Sequence, residues 1–211
     1  MLKYRIMQPD ELEACAKVAA EAFFDYDYFA FYVPDPEKRR IFLLRTLNIE
    51  MTINTRLVTY LVARQDDRIA AVATLCAPGH KKPSGLRYLR AGYWRQFLTA
   101  GFRNVSAWLD MEDRAGGPCR AFRGGNAWYL NMLTVDPACQ GQGVGSAMLR
   151  DCVLPYARQR GGDCLTLFTN SQENRLFYQK NGFTEFDERS FSFDGHTLGS
   201  WSYRIDLQRE P

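Results

Sequence analysis

The sequence has few of the residues that hold metal ions. It contains two histidines among 211 residues, and no two of its six cysteines form a Cys-x-x-Cys pair. Zinc sites are usually built from such pairs together with histidine, so no metal is expected. Isolated cysteines favour free thiols in a reducing compartment, and we therefore expect a cytoplasmic protein.

Long apolar runs and a strong net charge are also missing. No uncharged apolar run approaches the ~18 residues that a membrane span needs. The first residues contain no apolar segment of signal-peptide length followed by a cleavage site. The net charge of +3 is small, and the basic residues are scattered along the chain. The sequence thus argues against a membrane or nucleic-acid partner.

The length is ordinary for one domain, and we expect a single domain over residues 1–211. We find no internal repeat, low-complexity tract or linker. Alternation and turn signals predict strands at 3–7, 57–63, 68–76, 128–135, 164–169, 188–193 and 200–207. Helical spacing predicts helices at 10–23, 37–52, 146–160 and 174–181, and two more between 86 and 113.

A glycine-rich turn is the most informative feature of the chain. Gly141, Gly143 and Gly145 are three glycines within five residues, between the strand-like run 128–135 and the helix-like run 146–160. Such a turn can direct backbone N–H groups at a phosphate. A dinucleotide fold would need an acidic residue after the next strand, whereas Asp163 precedes it. A purely structural glycine turn is the other alternative.

Two motifs around this turn resemble those of the GNAT (GCN5-related N-acetyltransferase) superfamily. The run Leu133-Thr134-Val135-Asp136-Pro137 followed by Gln140-x-x-Gly143-x-Gly145 resembles its motif A. Asn174 followed by Phe177-Tyr178-x-Lys180-x-Gly182-Phe183 resembles its motif B. The two motifs match in order and separation over about residues 128–186. More broadly, the chain is similar to puromycin-type antibiotic acetyltransferases.

The resemblance implies a mixed α/β fold with a central, mostly antiparallel twisted sheet and one splayed parallel strand pair. It implies acetyl-CoA as co-substrate, with pantetheine pairing to the backbone of the motif A strand like an added strand. The amides of the glycine turn would receive the pyrophosphate, because glycines leave room for its close approach. The implied cofactor-binding residues are Leu133, Thr134, Val135, Gln140, Gly141, Gln142, Gly143, Val144, Gly145, Ser146 and Asn174.

Within motif B, the resemblance assigns Tyr178 as the general acid that protonates the departing thiolate. Tyrosine is protonated at neutral pH, so it can donate. Asn174 either binds the cofactor arm or caps the short helix. Lys180 and Arg175 are either partners of a CoA phosphate or solvated residues of a helix.

The general base is not evident from the sequence. Asn131 stands on the central strand, where such a base often lies in the superfamily, and an amide is a poor proton acceptor. The alternatives are Asp25, Asp27, His80, Glu112 or a chain of water molecules. Aromatic residues in the regions that form the acceptor wall in this superfamily suit a flat or amphipathic amine. The predicted substrate residues are Phe24, Tyr28, Trp94, Tyr129 and Asn131, with Tyr32 nearby, and any of these rings could instead fill the core.

The sequence therefore predicts an N-acetyltransferase that acts on a primary amine of a small molecule by direct transfer in a ternary complex. No cysteine stands beside a base, which disfavours a covalent acyl-enzyme. A module that senses acyl-CoA without turnover and a protein N-terminal or lysine acetyltransferase remain alternatives. A homodimer is also left open.

Overall fold

A seven-stranded sheet runs through the computed structural model, which describes residues 1–122 and 124–207. Position 123 and positions 208–211 of the expected domain lie outside the described residues. The strands are β1 (Leu2–Ile6), β2 (Thr59–Gln65), β3 (Arg68–Cys76), β4 (Ala127–Val135), β5 (Cys164–Thr169), β6 (Thr184–Phe193) and β7 (His196–Asp206). Their order is β1-β2-β3-β4-β5-β7-β6, and β4 with β5 is the parallel pair among antiparallel neighbours. The mostly antiparallel sheet with one parallel pair is thus confirmed.

Ten helices connect and cover the described strands. They are α1 (Leu12–Ala22), α2 (Asp27–Tyr32), α3 (Pro36–Asn54), α4 (Gly85–Arg90), α5 (Arg95–Ala100), α6 (Phe102–Ala115), α7 (Gly117–Ala121), α8 (Val144–Met148), α9 (Leu154–Gln159) and α10 (Gln172–Lys180). None of the described helices combines the length and the apolar character that crossing a bilayer requires.

Two apolar cores lie on opposite faces of the sheet. Side chains of a strand alternate between its faces, and on β3 Val72 joins one core while Ala71 and Ala73 join the other. The first core gathers residues of α1, α2, α3 and α6, and the second gathers residues of α8 and α9. The central strands are therefore covered on both faces.

The segment 86–113 differs from its prediction, since it holds three helices rather than two. Gly92 and Gly101 have φ angles of +85° and +87°, a conformation that L-residues with side chains rarely adopt. These two glycines end α4 and α5 and turn the chain between short helices. The aromatic periodicity of the sequence does not reveal such breaks.

The helix after the glycine turn continues through Pro155. A π-helical segment, Leu149–Val153, joins α8 to α9, so the proline falls at the start of α9. Proline lacks the N–H that a continuous α-helix would need at this point. The wider π turn accommodates it without ending the helix.

One carboxylate joins the N-terminal strand to β2. Glu11 accepts hydrogen bonds from Arg5 and Arg64 with N–O distances of 2.6 Å, and from the backbone N–H of Gln8 at 2.9 Å. These partners lower the pKa of Glu11 from 4.5 to about 2, with the Arg5 hydrogen bonds as the largest cause. The ionised carboxylate therefore stabilises the fold.

Replacing Glu11 with Gln should reduce the free energy of unfolding at pH 7 by about 1–2 kcal/mol, because both arginines are partly exposed to water. Because the folded-state pKa is depressed, this contribution is complete above pH 4.5 and is lost as the pH falls towards 2. Urea unfolding at several pH values measures the difference, with exposed Glu13→Gln as the matched control. Equal stability of the wild type and Glu11→Gln at pH 7 would contradict the prediction.

Candidate active site

The parallel strands β4 and β5 pair over only three positions. The last of these rungs joins Tyr129 to Thr166, and beyond it the described strands form no further pairs with each other. The segment from Leu130 to Val135 on β4 therefore keeps an edge with backbone groups that β5 does not use. A free strand edge can pair with an extended ligand or chain.

A β-bulge lies at this opening. The register between β3 and β4 shifts so that Thr74 pairs with Met132 and Leu75 pairs with Leu130, which leaves Asn131 without a partner. Asn131 is exposed. A bulge bends its strand and increases the local twist, and here it accompanies the departure of β4 from β5.

The glycine turn follows directly after β4. Gly141 and Gly143 have φ angles of +71° and +77°, and a Cβ added to either would meet nothing within 4 Å. No backbone N–H from Gly141 to Ser146 donates to an acceptor among the described residues, and the first return bond of α8 runs from Ala147 N to Gly143 O at 2.9 Å. Six amides at a helix start are thus available to an anion.

Two glutamines hold the shape of this turn. Gln140 donates through Nε2 to the Val135 carbonyl at 3.1 Å, and Gln142 donates to the Ala138 carbonyl at 3.0 Å. Asp136 caps the intervening turn by accepting from Ala138 N at 2.9 Å. The Val135 carbonyl, which the resemblance gave to the cofactor, is therefore occupied by Gln140 in this structure.

The charges beside the turn do not favour an anion by themselves. A cleft of about 530 Å³ separates the β2–β3 hairpin from the turn, and it is lined by Asp66, Asp67 and Arg68 together with Gln142. One cation against two carboxylates gives no net positive charge. Binding of a phosphate here therefore depends on the backbone amides.

Gly145 has a different task from the other two glycines, because a Cβ there would lie 3.3 Å from Phe177 and 3.5 Å from Val135. Its missing side chain lets α8 approach both β4 and α10. Close packing of α10 against α8 places motif B beside the glycine turn. The structure thus brings together the two motifs that the sequence separates.

Tyr178 of α10 lies on the same side of the opening between β4 and β5 as the glycine turn, and it is 8% exposed. Its ring packs against Phe177, Phe183 and Tyr203 with centroid distances of 5.1, 5.4 and 6.0 Å. Within residues 1–122 and 124–207 its hydroxyl forms no hydrogen bond, and the hydrogen bonds of Tyr178 are made by its backbone. Burial, with a smaller contribution from Tyr26, raises the pKa of Tyr178 above its ordinary value of 10.0. The group is therefore protonated at neutral pH.

Tyr26 connects the segment between α1 and α2 to the end of β5. Its hydroxyl lies 3.0 Å from Thr169 Oγ1 and accepts from the backbone N–H of Asn170 at 2.8 Å. Burial raises the pKa of Tyr26, and the side chain of Asn174 lies close enough to this hydroxyl to oppose that larger effect by lowering the pKa. The cap of α10 is Ser171, whose hydroxyl accepts from Asn174 N at 3.1 Å, so capping is not the role of the Asn174 side chain.

On the other face of β4, aromatic and acidic side chains form a cluster that we call the aromatic pocket. Tyr28 donates a hydrogen bond to Glu112 on α6, and Trp108 lies against the same tyrosine with ring centroids 6.3 Å apart. Burial, with the charge of Glu112 as a further cause, raises the pKa of Tyr28 well above 10.0. Tyr129, at the last rung between β4 and β5, also experiences the Glu112 charge. Glu112 therefore lies within electrostatic range of the point where the strands separate.

A second carboxylate in this pocket, Glu50, is absent from the sequence-based prediction. Glu50 accepts from Tyr88 Oη at 3.0 Å and from Asn54 Nδ2 at 3.0 Å. Burial, reinforced by the charge of Glu112, raises its pKa from 4.5 to about 7, against the opposing effects of Tyr88 and Lys82. The spacing of the residues on the inward face of α3 indicates that Glu50 points inward. That face carries Arg39, Leu43, Thr46, Glu50 and Asn54 at intervals of three or four residues.

The structure places the remaining predicted residues elsewhere. Phe24 lies beneath the guanidinium groups of Arg39 and Arg40, with distances of 4.8 and 4.5 Å to the ring centroid. Trp94 is 46% exposed, and Arg95 stacks on it. Tyr32 packs against Phe193 of the β6–β7 hairpin at 5.2 Å.

Among the predicted proton acceptors, Glu112 alone has recorded contacts with the pocket in the described part of the chain. Asp25 and Asp27 are exposed. His80 lies near Leu57 and Lys82, and burial lowers its pKa below 6.5. Arg175, one of the two cations considered for a CoA phosphate, is bound to Glu185 by two hydrogen bonds of 2.9 and 3.0 Å. No group of three or more metal-ligating side chains occurs in residues 1–122 and 124–207.

The splayed strand pair and the glycine turn define the class of protein, an acetyltransferase fold of the GNAT type. Residues 105–185 match the family described as the acetyltransferase (GNAT) domain, and the recognition made from the two motifs is confirmed. The match covers less than half of the chain and ends just after motif B. No curated protein matches the sequence significantly.

Many solved structures share the fold. One is described as histone acetyltransferase HPA2 and related acetyltransferase from Corynebacterium glutamicum, with 18% identity, TM-score 0.66, and coverage of 100% of this chain and 98% of that chain. Another is a polyamine N-acetyltransferase from Drosophila melanogaster, with 17% identity, TM-score 0.62, and coverage of 98% and 100%. An agmatine N-acetyltransferase has 17% identity and TM-score 0.63, with coverage of 98% and 99%. All three are less than 25% identical to this chain, so the likeness shows the fold alone.

Proposed function

We propose that the chain transfers an acetyl group from acetyl-CoA to a primary amine of a small molecule, by direct attack in a ternary complex. One observation carries the proposal: the opening between β4 and β5 ends at a helix start with six available amides, from Gly141 to Ser146. A free strand edge suits the amide groups of pantetheine, and the amides suit a pyrophosphate. Both features lie in one continuous stretch, as one extended cofactor requires.

The chemistry then falls to residues on the two sides of the opening. A primary amine arrives as an ammonium ion and must lose a proton before its nitrogen attacks. We assign this proton to Glu112, which accepts from Tyr28 and lies within electrostatic range of Tyr129 at the opening. The nitrogen forms a bond with the thioester carbon, the carbon–sulfur bond breaks, and Tyr178 gives its proton to the sulfur. The nitrogen loses its second proton to solvent as the amide forms, and solvent returns a proton to Tyr178. Much of the rate comes from holding the two reactants together, which can contribute roughly 7–11 kcal/mol.

The walls of the pocket support a small acceptor rather than a protein. Side chains from α2, α3, α4 and α6 meet in front of β4. Two of the similar structures are named for small amines, a polyamine and agmatine. All six cysteines are buried free thiols, which supports a cytoplasmic location and argues against a covalent acyl-enzyme.

A thiol-release assay tests the proposal. Purified protein and acetyl-CoA would be combined with aminonucleosides, aminoglycosides, polyamines, amino acids and short peptides. Turnover of a small amine, with formation of the acetylated product by mass spectrometry, supports the proposal. Turnover of the peptides alone would favour protein acetylation. Tight binding of acetyl-CoA without turnover across the panel would favour a sensing module.

A further inference from the structure

The pocket in front of β4 contains two carboxylates and several tyrosines but little positive charge. Glu112 stands beside Tyr28 and Tyr129, and Glu50 stands beside Tyr88. The basic group near Glu50 is Lys82, whose side chain is 56% exposed and lies 3.8 Å from Asp113. Two carboxylates in an aromatic pocket are costly unless a cation compensates them.

Two further polar groups are buried in the same place without partners. Tyr93 Oη and Trp108 Nε1 have no hydrogen-bond partner in the described part of the chain, and both residues are more than nine-tenths buried. The Tyr93 hydroxyl experiences the charges of both Glu50 and Glu112. Thr46, which lies near it, is outside hydrogen-bonding geometry. Buried polar groups in native proteins nearly always have partners, so these two point to an occupant of the pocket.

The two carboxylates influence different strands of the sheet. Glu112 neighbours Tyr129 on β4, where the strands separate, whereas Glu50 acts on Tyr60 on β2. Neighbouring strands lie about 4.8 Å apart, so β2 and β4 are separated by about 10 Å. Cys76 of β3 lies between them, since it pairs with Tyr129 and also influences Tyr60. The pocket therefore has a reacting end and a far end.

We propose that the acceptor carries two positive groups, and that Glu50 with Tyr88 and Tyr93 binds the second one while the first reacts at Glu112. The substrate class is a short diamine or an amine with a guanidinium group. This inference rests on the proposed function and specifies its acceptor. Tyrosine faces stabilise such cations in addition to the carboxylate. The cation also supplies a partner for a carboxylate that has no ion pair among the described residues.

The binding should depend on pH. The groups that face Glu50 from the rest of the pocket are Tyr60, Lys82, Tyr88, Tyr93 and Glu112. Because burial raises the pKa of Glu50 to about 7, the empty pocket gains negative charge as the pH rises through neutrality. Affinity for a dication should therefore increase between pH 6 and pH 8, and Glu50→Gln should abolish that increase.

Putrescine and n-butylamine test the assignment, because they have the same carbon chain and differ by one amino group. We expect the wild type to use putrescine with a kcat/KM at least about tenfold higher, mostly through KM. Glu50→Gln should lower kcat/KM for putrescine about 10- to 100-fold and remove the preference, as expected for a lost charged hydrogen bond. Glu37→Gln, an exposed carboxylate on the same helix, is the control and should behave as the wild type. Glu50→Asp keeps the charge and should restore part of the preference.

Calorimetric titration of putrescine without acetyl-CoA provides a readout independent of turnover, and thermal unfolding shows that each variant is folded. Equal use of the two amines by the wild type overturns the inference and leaves acetyl transfer intact. Putrescine binding that depends on Glu50, without any turnover, supports the pocket and contradicts the proposed function. Absence of both putrescine binding and putrescine turnover overturns the inference.

Discussion

Replacing Tyr178 with Phe should lower kcat by about 10²- to 10³-fold and leave the affinity for acetyl-CoA nearly unchanged. The substitution removes one hydroxyl that forms no hydrogen bond with the described residues. A general acid contributes on the order of 10²–10⁴-fold to such reactions. Without this hydroxyl, no proton neutralises the negative charge that develops on the sulfur as the carbon–sulfur bond breaks. Single-turnover kinetics, which separate chemistry from product release, measure the effect.

Tyr203→Phe is the matched control for this substitution. The Tyr203 ring packs 6.0 Å from that of Tyr178, but its hydroxyl donates to Glu185 at 2.6 Å. Tyr203→Phe should therefore cost about 1 kcal/mol of stability and leave kcat within about threefold of the wild type. A Tyr178→Phe enzyme with wild-type kcat would contradict the assignment of the acid.

The raised pKa of Tyr178 adds a condition on the pH profile. A general acid acts below its pKa, and burial moves the pKa of Tyr178 above 10.0. The chemical step should therefore show no loss of activity from this group as the pH rises from 7 to 10. The acidic limb of the pH–rate profile is determined instead by the group that accepts the proton of the amine, whose pKa is lower than that of Tyr178. An alkaline limb near pH 8 in single turnover would assign the acid to another group.

Local sequence signals predicted much of the fold and placed the two motifs in order along the chain. Sequence neighbours determine the glycine turn, motif B and the strands around them. The positive φ angles of Gly141 and Gly143, for example, are a property of the local backbone. The close approach of α10 to Gly145 could not be deduced from either motif alone. It depends on the absence of one Cβ opposite Phe177.

The acceptor side is assembled from distant segments and was predicted less completely. Tyr28 and Tyr129 were selected as aromatic residues, and the structure brings both to Glu112. Trp94 was selected for the same reason and lies on the surface. Glu50 was missed, because a glutamate in an amphipathic helix is usually solvated. Only its position in the buried stripe of α3 distinguishes it.

The buried Arg39 shows the same limit of sequence reasoning. It donates to the carbonyls of Phe24 at 2.8 Å and of Val33 and Pro34 at 3.0 Å each. One guanidinium thus fixes both ends of the aromatic segment that carries Tyr26 and Tyr28. A basic residue near a helix start gives no sign of this role, because its partners are backbone carbonyls that are brought together by the tertiary fold.

A substitution in the glycine turn should strongly weaken the binding of CoA. Gly143 caps the start of α8 with a φ angle of +77°, and a Cβ added there would meet no protein atom within 4 Å. A side chain would instead extend into open space beside the amides from Gly141 to Ser146. Gly143→Val should therefore weaken CoA binding by at least about 100-fold, which equals the loss of one or two hydrogen bonds to a charged group.

Backbone strain is the competing explanation, and Gly161 provides a control for it. Gly161 has a φ angle of +76° and also has no neighbour within 4 Å of an added Cβ, but it follows α9 at the opposite end of the helix. Valine at either position should cost a similar free energy of unfolding, on the order of 1–3 kcal/mol. Only Gly143→Val should lose affinity for CoA. Pantetheine, which lacks the pyrophosphate, should bind both variants equally.

Calorimetric titration of CoA and of pantetheine into the two variants separates the explanations. A selective loss of CoA binding in Gly143→Val assigns the pyrophosphate to the amides of the turn. Because the nearby cleft has no net positive charge, those amides are the main source of attraction for it. Equal CoA affinity in the two variants would mean that the turn only shapes the backbone. The acetyl donor would then have to be held without the glycine turn, and the proposed mode of cofactor binding would be wrong.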